Sequence, residues 1–366
     1  MWEYNQARCC IACAVILIMS AGGVAESSIM EMPRPSREER KICRELCSVT
    51  IKWLEDGEAA DSEECDKLID TLLSLENASV KAYLIAAQTA SLRGRSEKAL
   101  SILRKVAEEH PNETAGIMNV PVGVLAHCWM ATIAGQSGDT DGARSACETA
   151  LRMLKDSNSG MATVVSLYLA EIELSQPNRR EQGIGLLRGL ASRTHEAPRL
   201  GQRIFSHEKW AAYIEAKTTQ GATQAAKAMV IEAADVAEAP VVAAVQLRMR
   251  GITDVPFADY CPDKRVDIVS AVLLKRAIDS HVSEIDASCA RLAYGVDCER
   301  KGKRNEAIQQ YSQLFGMESF LSPIAGLYLM RVRSASNEGA ESSEILRVLK
   351  SRHPLCVRID ETIPCR

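Results

Sequence analysis

The chain has 366 residues with a net charge of −4; 46% of them are apolar and 25% charged. This balance excludes a largely disordered polypeptide and broad electrostatic attraction to nucleic acid. Aromatic residues make up only 4% against 48 alanines, and there are only 21 Gly and 12 Pro. That argues against a sheet protein and for long, closely packed helices with tight turns. A chain this long exceeds one comfortable core, so two domains or a repeating array are expected.

Residues 1–25 read as a secretory signal peptide. Arg8 and the terminal amine precede an apolar run at 11–19, and small residues end at Gly23-Val24-Ala25. The run is shorter than the ~20 residues that span a bilayer, so no stable membrane span is expected once the signal is cleaved. The alternative is an uncleaved N-terminal anchor. Residues 26–39, with Pro33 and Pro35, read as a flexible lead-in.

Helix pairs follow in series. Residues 41–77 form one, with Asp56-Gly57 as its turn. Residues 80–113 carry Ala87, Gly94, Ala99, Val106 and Pro111 in a spacing that recurs. In 124–157 it is Ala131, Gly138, Ala143 and Ala150; in 164–197, Asn178, Gly183 and Leu190, with Glu171 breaking the first small position. Residues 207–240 offer Trp210, Gly221, Ala226 and Ala233. Helices are expected at 241–250 and 265–284, around the least helical stretch, 251–264. Residues 288–321 carry Gly295, Gly302, Ala307 and Leu314, and 323–356 close with Met330, Asn337, Ser342, Leu349 and Pro354. Residues 357–366 are a tail.

This phasing resembles the tetratricopeptide repeat (TPR) family, in which small residues let two helices approach and Gly or Asn makes the turn between them. The turn residues Gly94, Gly138, Asn178 and Gly221 are 44, 40 and 43 apart, longer than the family's 34. HEAT-type pairs are therefore the rival, while the small-Gly-small pattern within units favours TPR. The resemblance implies an all-α, right-handed superhelical solenoid of about eight antiparallel pairs over 40–356, with 251–264 as an insertion. It also implies a concave groove lined by first helices. The family's groove positions fall on Lys81, Leu84, Gln88, Thr132, Tyr168, Glu215, Leu292, Arg300 and Arg331. Leu84 stands where carboxylate-clamp repeats carry Lys, so an extended or helical apolar peptide suits this groove better.

Beyond the leader, ten cysteines remain: Cys43, Cys47, Cys65, Cys128, Cys147, Cys261, Cys289, Cys298, Cys356 and Cys365. An even count after a signal peptide favours disulfides. Cys43 or Cys47 could reach Cys65, Cys128 could reach Cys147, and Cys356 could reach Cys365. Cys289 and Cys298 sit on opposite faces of one helix, about 13 Å apart along its axis, and cannot pair with each other. The alternative is buried free thiols that pack as small hydrophobes. The stretch 251–264, with Pro256, Phe257, Tyr260, Cys261 and Pro262, is either a binding loop or a disulfide-pinned insertion.

Catalytic signatures are absent from the sequence. None of the six histidines lies in an HExxH pair or a zinc-like spacing, and no Gly-rich phosphate loop or GxSxG occurs. Glu171 and Glu173, two positions apart on a helix, face different ways. No cofactor or metal is expected. The resulting expectation is an exported scaffold or adaptor for protein or peptide partners, without catalysis. A noncatalytic subunit of an envelope or secretion complex is the alternative, and a helical hydrolase the third reading.

Overall fold

The computed structural model describes residues 35–56, 62–113, 120–154, 160–192, 207–253, 255–258, 260–261, 266–279, 283–335 and 339–355. Among these the chain is all-helical, without a β-strand. Residues 1–34, which contain the expected signal peptide, lie outside them, as do Gly57, Asn337 and the tail. The described residues divide into two compact units. The first is drawn from Met1–Asp156 and Arg248–Arg276, the second from Ser157–Leu247 and Ala277–Arg366.

In the first unit, α1 (Arg37–Asp56), α2 (Ser62–Leu73), α3 (Val80–Leu92), α4 (Ser96–Glu109), α5 (Val122–Gln136) and α6 (Thr140–Met153) follow one another, each packed on the next. α1 begins inside the expected lead-in. The helices alternate in character. α3 and α5 are apolar all round and buried on nearly every side. α4 buries only Ala99, Ile102, Leu103 and Val106, and α6 only Ala143, Ala146, Cys147 and Ala150. A helix with one apolar stripe covers a core, whereas one apolar on all sides sits inside it.

The turns have a common design. Gly94, at φ +72°, donates its N–H to Ser91 O (3.0 Å), and Arg95 donates to Ala90 O (2.8 Å). This is the Schellman closure of a helix, which needs a left-handed residue and hence glycine. Gly138 with Asp139, and Gly302 with Lys303, repeat it bond for bond. Asn178 falls at a turn of the chain as expected, inside a 3-10 turn at Pro177–Arg179 rather than a glycine closure.

In the second unit, α7 (Gly160–Leu174), α8 (Arg180–Ala191), α9 (His207–Gln220) and α10 (Ala222–Ala228) pack in succession. So do α14 (Glu284–Arg300), α15 (Arg304–Gly316), α16 (Ser322–Ser334) and α17 (Gly339–Arg352). Gly295 sits at the α14–α15 crossing, where a Cβ would lie 2.5 Å from a carbon of the buried Tyr311 ring. Only glycine permits that approach.

The expected pair at 207–240 is corrected. α10 ends at Ala228, and α11 (Ala233–Met249) starts afresh and runs through Pro240. Proline cannot donate to the carbonyl four residues back, here that of Val236. The Tyr328 hydroxyl donates to that oxygen instead, at 3.4 Å. α13 (Val266–Asp279) also ends earlier than expected, because Ser283 caps the next helix through Asp286 N (3.1 Å).

Candidate functional site

The expected insertion is not an empty loop. Residues 248–261 include the short helix α12 (Val255–Ala258) and lie in the first unit, with α12 packed on α3. Alanines at 86, 87 and 90 keep α3 thin, and Gln88, 3% exposed, is the polar side chain among them that faces this segment. Its Nε2 donates to Gly251 O (2.8 Å) and to Thr253 O (2.6 Å). From α5, Trp129 Nε1 donates to Arg248 O at 3.2 Å. Two side chains thus read three backbone carbonyls. Gly251 has φ +73°, and a Cβ there would lie 2.7 Å from Trp129 Cδ2.

The far end of the segment is held by α1. Glu39 is buried, and its carboxylate accepts from Ser79 N (3.0 Å), Ser79 Oγ (2.5 Å) and Tyr260 OH (3.2 Å). It therefore supports the N-terminus of α3, where negative charge is favourable, and anchors Tyr260. Phe257 is completely buried.

A cavity of about 50 Å³ opens beside the segment, with Gln88, Trp129, Thr132, Gln136, Arg250 and Arg276 on its walls. The Arg250 side chain is buried, and burial holds Arg276 below the usual arginine range. Burial pushes the Cys128 thiol up to about 12, with the Arg250 charge opposing the rise.

Of the residues the family resemblance placed in a groove, Gln88 and Thr132 meet at this cavity. Thr132 itself donates to Cys128 O (3.1 Å). Lys81 and Leu84 share α3 with Gln88, but Leu84 is buried in the core. In the second unit Tyr168 and Leu292 are buried, and Arg300 is exposed. Glu215 pairs with Arg188 (3.2 Å). Arg331 pairs with Glu299 (2.7 Å) and lies over the Tyr328 ring at 4.4 Å. These five belong to the second unit and the cavity residues to the first. Trp129, Glu39 and Arg250 were missed by sequence reasoning. Trp129 carried a signal, because a buried indole N–H in a chain with four Trp needs an acceptor.

The expected disulfides among the described cysteines are corrected. No disulfide joins any of Cys43, Cys47, Cys65, Cys128, Cys147, Cys261, Cys289 and Cys298, and all but Cys261 are buried. Neither Cys43 nor Cys47 is bonded to Cys65, nor Cys128 to Cys147. Cys43 and Cys47 lie in the α1 core, where helix packing rather than cross-linking uses them. Cys289 and Cys298 share the continuous helix α14. Cys356 and Cys365 lie outside the described residues. The thiols therefore cease to argue for an oxidising compartment.

Glu171 and Glu173 do separate work. Glu171 accepts from Ser283 Oγ (2.5 Å) and Ile285 N (3.2 Å) at the start of α14, while Glu173 pairs with Arg179 (2.7 Å). Among the described residues no group of three His, Cys, Asp or Glu could hold a metal ion, and no helix is long and apolar enough to cross a membrane. The chain matches no protein-family profile, no curated protein and no solved structure.

Proposed function

We propose that this chain is a TPR-like helical-repeat protein that recognises other polypeptides, serving as a scaffold or adaptor without catalysis. The observation that carries the reading is the α3–α5 surface. Gln88 and Trp129 there bind three backbone carbonyls, that of Arg248 in the last turn of α11 and those of Gly251 and Thr253 beyond its end, which is how a surface takes up a peptide whatever its side chains. Two features support the repeat reading: the alternation of fully buried and one-sided helices, and the recurrent Schellman turns. On this reading the pairs are antiparallel and stack as a right-handed solenoid whose first helices form the recognition face. The order of charged, apolar and small residues at 1–25 supports export by the secretory route.

The test is recovery of the tagged chain from its native source under gentle extraction, with quantitative mass spectrometry of what accompanies it. A polypeptide held at constant stoichiometry supports the reading. A chain recovered alone, or one that turns over a small molecule, contradicts it.

A further inference from the structure

The segment 248–261 is held in the manner of a ligand. Its backbone carbonyls at Arg248, Gly251 and Thr253 are taken by side chains of α3 and α5. At Gly251 only glycine fits against the indole of Trp129. Phe257 is fully enclosed, and the Tyr260 hydroxyl reaches the carboxylate of Glu39. Within this segment the helix α12 has only four residues, so few backbone bonds of its own resist departure. The surface that holds it carries Gln88, one of the positions the repeat family uses for peptide ligands.

We propose that residues 248–261 are an internal pseudo-ligand. The face they occupy would take, from another chain, a peptide of the same chemistry. Such a peptide has a glycine in the left-handed turn, an aromatic side chain six residues later as at Phe257, and a phenol nine residues later as at Tyr260. This inference rests on the polypeptide-recognition reading and names its ligand. Carbonyl capture by Gln88 and Trp129 supplies affinity that does not depend on sequence. The glycine, the enclosed aromatic ring and the Glu39-bound hydroxyl supply selectivity, because each rejects a different substitution. Tethering gives the internal copy an effective concentration in the millimolar range. The resting chain is therefore self-occupied, and a partner acts by displacing the segment.

The experiment uses the full chain and a fluorescein-labelled peptide with the sequence of residues 248–261, followed by fluorescence anisotropy. The chain carrying Phe257→Ala and Tyr260→Ala releases its own segment and is expected to bind the peptide at least tenfold more tightly than the native chain. Adding Gln88→Leu to the released chain, or Gly251→Ala to the peptide, is expected to cost at least tenfold each. If the double variant loses its helical dichroism, the full-length Gly251→Ala chain replaces it as the released form. A folded, released chain that binds no better than native overturns the proposal, as does a peptide indifferent to its glycine. A stoichiometric partner recovered while the peptide fails overturns the pseudo-ligand and leaves the recognition function standing. Peptide binding with no partner recovered supports the pseudo-ligand and counts against that function.

Discussion

Gly251→Ala adds one methyl group at a position where the structure leaves no room. Alanine at φ +73° pays about 1–2 kcal/mol for the left-handed conformation alone. The new Cβ would also stand 2.7, 2.9 and 3.0 Å from three carbons of the Trp129 indole. That ring is rigid, 4% exposed and tied to Arg248 O at 3.2 Å, so it cannot yield without giving up the bond. Overpacking of this kind costs about 1–3 kcal/mol. Gly94→Ala is the matched control. Its φ is +72°, yet no heavy atom lies within 4 Å of the added Cβ, so only the conformational cost applies. Hydrogen exchange with mass spectrometry reads both variants locally, which matters because a chain of two units need not unfold in one step. In Gly251→Ala, amides of residues 250–258 should exchange roughly 30- to 4,000-fold faster, since about 1.4 kcal/mol corresponds to a factor of ten. In Gly94→Ala they should exchange at the native rate. Native exchange in Gly251→Ala, or equal acceleration in both variants, would refute the contact between Gly251 and Trp129.

Three further outcomes are expected. Tyr328→Phe should destabilise the second unit by about 1 kcal/mol by leaving Val236 O unpaired. In a Pro240→Ala background, which restores an N–H at position 240, the loss should shrink, and a urea-denaturation double-mutant cycle measures the difference. Native-state alkylation at pH 8 should spare the buried thiols, since burial raises Cys43 and Cys128 to about 12 and leaves about one thiolate in ten thousand. Mass spectrometry of denatured, non-reduced protein should find all eight described cysteines alkylated, and any pair protected as a disulfide would contradict the structure. Burial holds His353 below the ordinary histidine value, so the unfolded chain binds a proton more readily than the native one. Stability should be fully present above pH ~6.5 and fall as pH drops below it, levelling off only beneath the lowered native value. Replacing His353 by Gln should flatten that slope, and thermal unfolding across pH 5–8 is the check.

What the sequence made legible is what local spacing controls. Gly94, Gly138 and Gly302 fall at turns because a Schellman closure needs a left-handed residue at a fixed offset. Gln88 is singled out by the family resemblance, which assigns its position to the groove. Pro240 misled, because a proline at an expected repeat end looks like a boundary. The helix instead continues through it, and the carbonyl it leaves without a backbone donor takes a tertiary one, the Tyr328 hydroxyl. The cysteines misled for a related reason. Their even count fits cross-links, but whether two thiols meet is set by packing, and α1 uses Cys43 and Cys47 as core residues. The return of 248–276 to the first unit was equally hidden. It depends on bonds spanning more than 100 positions, such as Trp129 to Arg248, which no periodicity reports. Glu39 likewise fell at the end of the expected flexible lead-in, and acquires a role only where Ser79 and Tyr260 converge on it.

The most direct test of the account is hydrogen exchange of the full chain with and without a saturating concentration of the partner recovered from the native source. If the α3–α5 face is a polypeptide-binding surface held by the chain's own segment, amides of residues 250–258 should lose protection on binding while α3 and α5 keep theirs. Unchanged exchange at 250–258 in the saturated complex would contradict it.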